Sequence, residues 1–203
     1  MIYKYLALGD SYTIGEQVPL FENFPYQTIQ MLRRKWGATH DFIAPEIVAK
    51  TGWTTDELDA QISDTSFLGR YDFVSLLIGV NNQYRGRNTE NFANEFKSLL
   101  RKAIVFARNN PSHVFVLSIP DWGITPFAAD RDASQIAKEI DEYNQVCKEI
   151  ASMENVNFID ITLSQRQDGR DATFIATDGL HPSGLEYKKW AYQLSEGISS
   201  QLM

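Results

Sequence analysis

Residues 3–12 read Tyr-Lys-Tyr-Leu-Ala-Leu-Gly-Asp-Ser-Tyr, and the change of character midway along this stretch decides the fold. Tyr3–Leu8 is a mainly apolar run of strand length. The Gly9-Asp10-Ser11 that follows at once ends the run with turn residues. The change recurs downstream, where Phe42–Ala49, Phe73–Ile78, Val114–Ile119 and Val156–Ile161 are further strand-length runs. Several read as continuously apolar, as parallel strands buried on both faces do.

Between these runs the period becomes helical. Phe92, Phe96, Leu99, Ala103 and Phe106 share one helix face, as do Ile136, Ile140, Tyr143, Cys147 and Ile150, and then Tyr187, Ala191, Leu194 and Ile198. Thr54-Thr55-Asp56-Glu57 and Ser183-Gly184-Leu185-Glu186 fit the capping box ahead of helical patterns. Asn109-Asn110-Pro111 ends the helix before it. No internal repeat, linker or low-complexity tract interrupts the alternation. It predicts a single α/β domain over residues 1–203, with three layers around a parallel sheet. A chain of 203 residues has the size of one domain.

Composition narrows the function. Hydrophobic residues make up 43% and charged residues 22%, as in ordinary globular chains. Lys plus Arg is 19 against 26 for Asp plus Glu, a net charge of −7. A nucleic-acid binder carries the opposite imbalance, since phosphate neutralisation supplies most of its affinity, so neither nucleic acid nor an anionic membrane surface is an expected partner. The one cysteine, Cys147, has no internal disulfide partner and sits on an apolar stripe, where a core thiol belongs. No apolar run is long enough to span a bilayer. The N-terminus shows no leader pattern, so the expected location is the cytoplasm, or outside it had a signal peptide been removed.

Open α/β sheets bind ligands beyond the carboxyl ends of their strands. The residues after each predicted strand therefore spell out the site. They are Gly9-Asp10-Ser11-Tyr12, Thr51-Gly52-Trp53, Gly79-Val80-Asn81-Asn82 and Pro120-Asp121-Trp122-Gly123, then a longer segment ending in Asp178-Gly179-Leu180-His181-Pro182. A hydroxyl nucleophile, a glycine amide, a carboxamide and an Asp/His pair are thus expected at one sheet edge. Those are the parts of an acyl-transfer enzyme.

Gly9-Asp10-Ser11-Tyr12, Gly52, Gly79-Val80-Asn81 and Asp178-Gly179-Leu180-His181 stand in the order of the blocks of the SGNH hydrolases, also called GDSL esterases/lipases. From residue 9 to residue 181 the chain resembles that family. The resemblance implies a flavodoxin-like sheet of five parallel strands in the order 2-1-3-4-5. It implies Ser11 as nucleophile, His181 as general base and Asp178 as the residue that orients it. The N–H groups of Ser11 and Gly52 and the Asn81 amide would form the oxyanion hole, and the substrate would be a small-molecule ester. One departure is visible: Asn82 stands where the family usually carries aspartate.

The chemistry of those roles is general. A serine hydroxyl is a weak nucleophile at neutral pH, so a base must take its proton as the bond to the acyl carbon forms. A carboxylate three residues before the histidine can hold the tautomer and stabilise the imidazolium. Losing one oxyanion donor typically costs about 10²–10³ in turnover. Tyr12, Trp53, Tyr84, Trp122 and Phe127 fall on or near the site-edge loops, where they either line an acyl or alcohol pocket or pack the loops. His40 and His113 fall where strands begin, on the opposite edge, and read as structural. Asp168-Gly169-Arg170-Asp171 reads as a solvated turn. No His/Cys cluster has metal-ligand spacing and no phosphate loop is present, so neither metal nor cofactor is expected. The reading is a metal-independent serine ester hydrolase working through an acyl-enzyme. Its rival is a non-catalytic module that holds a carbohydrate or small acid in the same cleft.

Overall fold

Five strands stack side by side in the computed structural model, which describes residues 2–202. Numbered along the chain, they are β1 (Tyr5–Gly9), β2 (Glu46–Ala49), β3 (Phe73–Leu77), β4 (Val114–Leu117) and β5 (Asn157–Ile159). All pairings are parallel, in the order β2-β1-β3-β4-β5. Every residue of β1, β3 and β4 is buried. The fold class is the expected one.

Two predicted strands are each divided. Ile2–Tyr3 pairs with Asp41–Phe42 in a separate two-stranded sheet, outside the main one. The break before β1 comes at Lys4, whose N–H donates to Asp72 Oδ2 at 2.8 Å instead of joining the ladder. The break before β2 contains Pro45, which has no N–H to donate. Strand β4 stops at Leu117, short of the predicted Ile119, because the Ile119 N–H turns to Asn144 Oδ1 at 2.7 Å.

The helices are α1 (Ser11–Ile14), α2 (Phe24–Trp36), α3 (Thr55–Asp64), α4 (Val80–Tyr84), α5 (Thr89–Phe106), α6 (Ala133–Met153), α7 (Thr162–Asp168) and α8 (Gly184–Ser199). The long ones bury the stripes that their periodicity marks: Phe92 through Ala103 in α5, Ile136 through Ile150 in α6 and Tyr187 through Ile198 in α8. α2 and α8 pack against each other, while α5 packs against both α3 and α6. Burying one Leu, Ile or Phe side chain is worth about 1.5–3 kcal/mol, so these stripes hold the layers on the sheet.

Of the two predicted capping boxes, the first closes: Thr54 N–H donates to Glu57 Oε2 at 2.9 Å. The second does not. Ser183 Oγ accepts from Leu185 N–H at 3.3 Å, but the Ser183 N–H already donates to the Phe174 carbonyl. Glu186 is left to turn inward, where it accepts from Trp190 Nε1 at 2.9 Å. The Asp168–Asp171 run is likewise no plain turn: Asp168 is the last residue of α7 and pairs with Lys189 at 2.9 Å.

Candidate active site

The site begins where β1 runs out. A Cβ on Gly9 would collide with the Leu77 carbonyl and with Thr13 Oγ1, so only glycine lets the chain leave the sheet this tightly. Asp10 then caps α1, its Oδ1 accepting from Tyr12 N–H at 3.0 Å. Ser11 is the first residue of α1 and stands beyond the carboxyl end of β1.

A relay of three side chains meets there. His181 Nε2 lies 3.0 Å from Ser11 Oγ, and His181 Nδ1 lies 2.6 Å from Asp178 Oδ2. The other oxygen of Asp178 accepts from the N–H groups of Leu180 at 2.9 Å and His181 at 3.0 Å. Burial pushes the Asp178 carboxyl up, but the His181 ring and those two N–H groups outweigh it and hold the pKa below the ordinary carboxylate value. The loop is closed on itself by Ala176 N–H on the His181 carbonyl at 2.8 Å and pinned from outside by Phe127 N–H on the Gly179 carbonyl at 2.9 Å. His181 is 7% exposed, so its ring has little freedom to leave the serine.

Opposite the relay, residues 50–53 form a tight turn closed by Trp53 N–H on the Lys50 carbonyl at 3.2 Å. Its third residue, Gly52, has φ +84°, a backbone angle that favours glycine. Asn81, on α4, donates its Nδ2 to the Trp53 carbonyl at 2.9 Å. Among the described residues, the N–H groups of Ser11 and Gly52 donate to no protein acceptor. Ser11, Gly52, Asn81 and His181 all line one cavity of about 200 Å³.

Of the aromatic residues singled out in the sequence, Tyr12, Tyr84, Trp122 and Phe127 line that cavity, and Trp53 does not. Trp53 is held by its own backbone, through its carbonyl on Asn81 and its N–H in the turn, and it packs half-buried against the core. Trp122 is fixed: its Nε1 donates to Gln83 Oε1 at 2.8 Å, and Gln83 Nε2 donates to Glu139 at 2.6 Å. Tyr84 and Phe127 meet the Trp122 ring edge-on, at 5.3 and 6.1 Å. The preceding Asp121 is buried and bound by Arg166 Nε at 2.7 Å.

Gln83, Arg85 and Arg166 are supports that sequence reasoning missed. Arg85 Nη2 donates to the Gly52 carbonyl at 2.6 Å. A signal for it existed, since Asn81 and Arg85 are four residues apart and share a helical face. Asn82 is fully buried: its Oδ1 accepts from Thr55 N–H at 3.1 Å, and its Nδ2 donates to Thr55 Oγ1 at 2.6 Å. The Thr55 hydroxyl in turn donates to Glu95.

The remaining reactive residue types lie elsewhere. His40 stacks on Tyr3 at 5.3 Å, His113 Nδ1 lies 2.8 Å from the Asp72 carbonyl, and Cys147 is buried in α6, where burial pushes its thiol pKa up. Among the described residues, no three or more His, Cys, Asp or Glu side chains cluster as a metal site would need, and no helix is long and apolar enough to cross a membrane. A larger hollow of about 570 Å³ over the outer face of α5 contains neither a histidine nor a carboxylate. The relay is what can do acyl chemistry: a hydroxyl, a base in contact with it, and a carboxylate that orients the base.

A sequence model of the GDSL-like lipase/acylhydrolase family matches residues 7–189. No curated protein matches the chain. Among solved structures, the lipase/acylhydrolase from Enterococcus faecalis is similar with a TM-score of 0.73 at 20% identity, over 98% of this chain and 96% of that one. A member of the lipolytic protein G-D-S-L family from Veillonella parvula has a TM-score of 0.71 at 18% identity, over 97% of each chain. Axe2, an acetylxylan esterase from Geobacillus stearothermophilus, has a TM-score of 0.73 at 18% identity, over 97% of this chain and 94% of that one.

Proposed function

This chain belongs to the GDSL-like lipase/acylhydrolase family and is an ester hydrolase of that type; we propose that it cleaves carboxylic esters through an acyl-enzyme on Ser11. The observation that carries the reading is the relay, with 3.0 Å from Ser11 Oγ to His181 Nε2 and 2.6 Å from His181 Nδ1 to Asp178. As Ser11 Oγ bonds to the acyl carbon, its proton passes to His181 Nε2 and the carbonyl electrons move onto oxygen. Asp178 holds the Nδ1–H tautomer and stabilises the imidazolium. The N–H groups of Ser11 and Gly52 and the amide of Asn81 receive the oxyanion. Collapse expels the alcohol, which leaves with the proton from His181. Water, activated by the same ring, then frees the acid and restores Ser11.

A cavity of about 200 Å³ with a mainly aromatic and aliphatic lining supports a small acyl group over a long chain. Acetylated sugars belong in the substrate panel, beside nitrophenyl esters of rising chain length. The deciding experiment is intact mass after exposure to a fluorophosphonate, for the native chain and Ser11→Ala. A single adduct on the native chain, absent from the variant, is the expected result. No adduct on a folded native chain would sink the acyl-enzyme and favour the binding module.

A further inference from the structure

We infer that Arg85 is a positioning residue for ester cleavage, holding the Gly52 turn in register with Asn81 so that both donors meet the same oxyanion. The inference rests on the reading above, in which the Gly52 N–H is such a donor.

Glycine adopts positive and negative φ almost equally well, so Gly52 permits its observed φ of +84° without enforcing it. The turn needs outside anchors to stay where it is. The Thr51 hydroxyl, which donates to Glu16, is one; two successive carbonyls supply the others, and both are gripped from one short stretch of chain. The Trp53 carbonyl accepts from Asn81 Nδ2 at 2.9 Å, and the Gly52 carbonyl accepts from Arg85 Nη2 at 2.6 Å. Asn81 lies on α4 and Arg85 is its C-terminal cap. The element that carries one proposed oxyanion donor therefore also sets the position of the other.

Arg85 is itself held. Its Nη1 approaches Glu57 at 3.3 Å, and the same carboxylate accepts from Thr54 N–H at 2.9 Å at the start of α3. The chain of contacts runs from Gly52 through Arg85 and Glu57 to Thr54. It braces the turn against two helices. A guanidinium–carbonyl bond is charge-assisted, roughly twice as strong as a neutral one, and a fork of donors reaches carbonyl and carboxylate together. Arg85 hydrogen-bonds to Glu57 and the Gly52 carbonyl and does not line the cavity, so it acts through the turn.

Arg85→Met keeps the length of the side chain and removes its donors. Turnover per active site, counted by fluorophosphonate labelling, is compared for the native chain, Arg85→Met, Arg85→Lys and Gly52→Ala on a short nitrophenyl ester. Binding of a trifluoromethyl ketone, which forms an oxyanion on Ser11, is measured alongside. Misplacement of reacting groups by about 1 Å costs up to about 10²-fold. Arg85→Met is expected to lower kcat by roughly 10-fold and weaken the ketone by the same factor. KM should stay within about twofold, and lysine should restore part of the loss. Unchanged kcat and ketone affinity in Arg85→Met would overturn the inference, as would a rise in KM alone, which would make Arg85 a substrate contact. Gly52→Ala separates the two readings. A Cβ there meets only Arg85 Nη2, at 3.7 Å, so its penalty is conformational. If Gly52→Ala loses turnover and Arg85→Met does not, the positioning role fails alone. If neither variant changes, the oxyanion role of Gly52 fails with it.

Discussion

Asp10 shows how one side chain serves two ends of its own burial. Oδ1 caps α1 through Tyr12 N–H, while Oδ2 is buried with no hydrogen-bond partner among the described residues. Burial pushes the carboxyl up to about 7, with the Tyr12 N–H pulling only partly against it. The folded pKa therefore lies above the unfolded one, near 3.9. Stability from this group is complete below pH 4 and is lost as pH rises towards 7, because the native state holds the proton longer. Asp10→Asn keeps the cap acceptor and removes the titration. Its denaturation midpoint should fall less than that of the native chain between pH 4 and 8, with a gain at pH 8 of up to about 4 kcal/mol. Parallel midpoint curves would show that Asp10 does not titrate in this range. Asp178 has the opposite sign. Its folded pKa is lowered, so its contribution is present above about pH 4 and lost in acid as pH falls through the folded value.

At the scale of elements, α4 organises the site despite having only five residues. Asn81 reaches the Gly52 turn, Asn82 reaches α3 and Gln83 reaches Trp122. The replacement of the family's usual aspartate by Asn82 has a local logic. An amide donates to Thr55 Oγ1, which frees the threonine proton for Glu95. A carboxylate cannot donate, and would compete with Glu95 for that proton. Asn82→Asp is accordingly expected to destabilise by about 1–3 kcal/mol, read as a lowered urea midpoint; equal or higher stability would refute the account. Elements were legible in the sequence where one local rule decided them, as in the apolar stripes of α5, α6 and α8. The Ser183 box was not, because the Phe174 carbonyl that takes the Ser183 N–H arrives from a 3-10 turn, Ala172–Phe174, earlier in the chain.

At the scale of the molecule, the sheet and its two helical layers form a support that can be weakened without touching the chemistry. Leu99 is fully buried in α5 and lines no part of the cavity. Leu99→Ala should lower the unfolding free energy by about 2–5 kcal/mol. The rate of fluorophosphonate labelling per folded molecule should stay the same. A labelling rate that dropped with stability would mean that the core and the site are coupled.

The sequence by itself determined the order of strands and helices, the apolar faces and the residue types gathered at one sheet edge. These follow from side-chain periodicity, turn chemistry and the rule that parallel strands end on one side, all of which are local or topological. Ser11 and His181 lie 170 residues apart and still meet, because Ser11 follows a strand and His181 precedes a helix that were both readable in the sequence. Only the tertiary structure decided that Trp53 leaves the cavity, that Arg85 grips Gly52, that Asn82 serves Thr55 and that Asp10 is sealed from water. Burial and hydrogen-bond partners depend on which distant groups crowd a position, and no window of neighbouring residues contains that information.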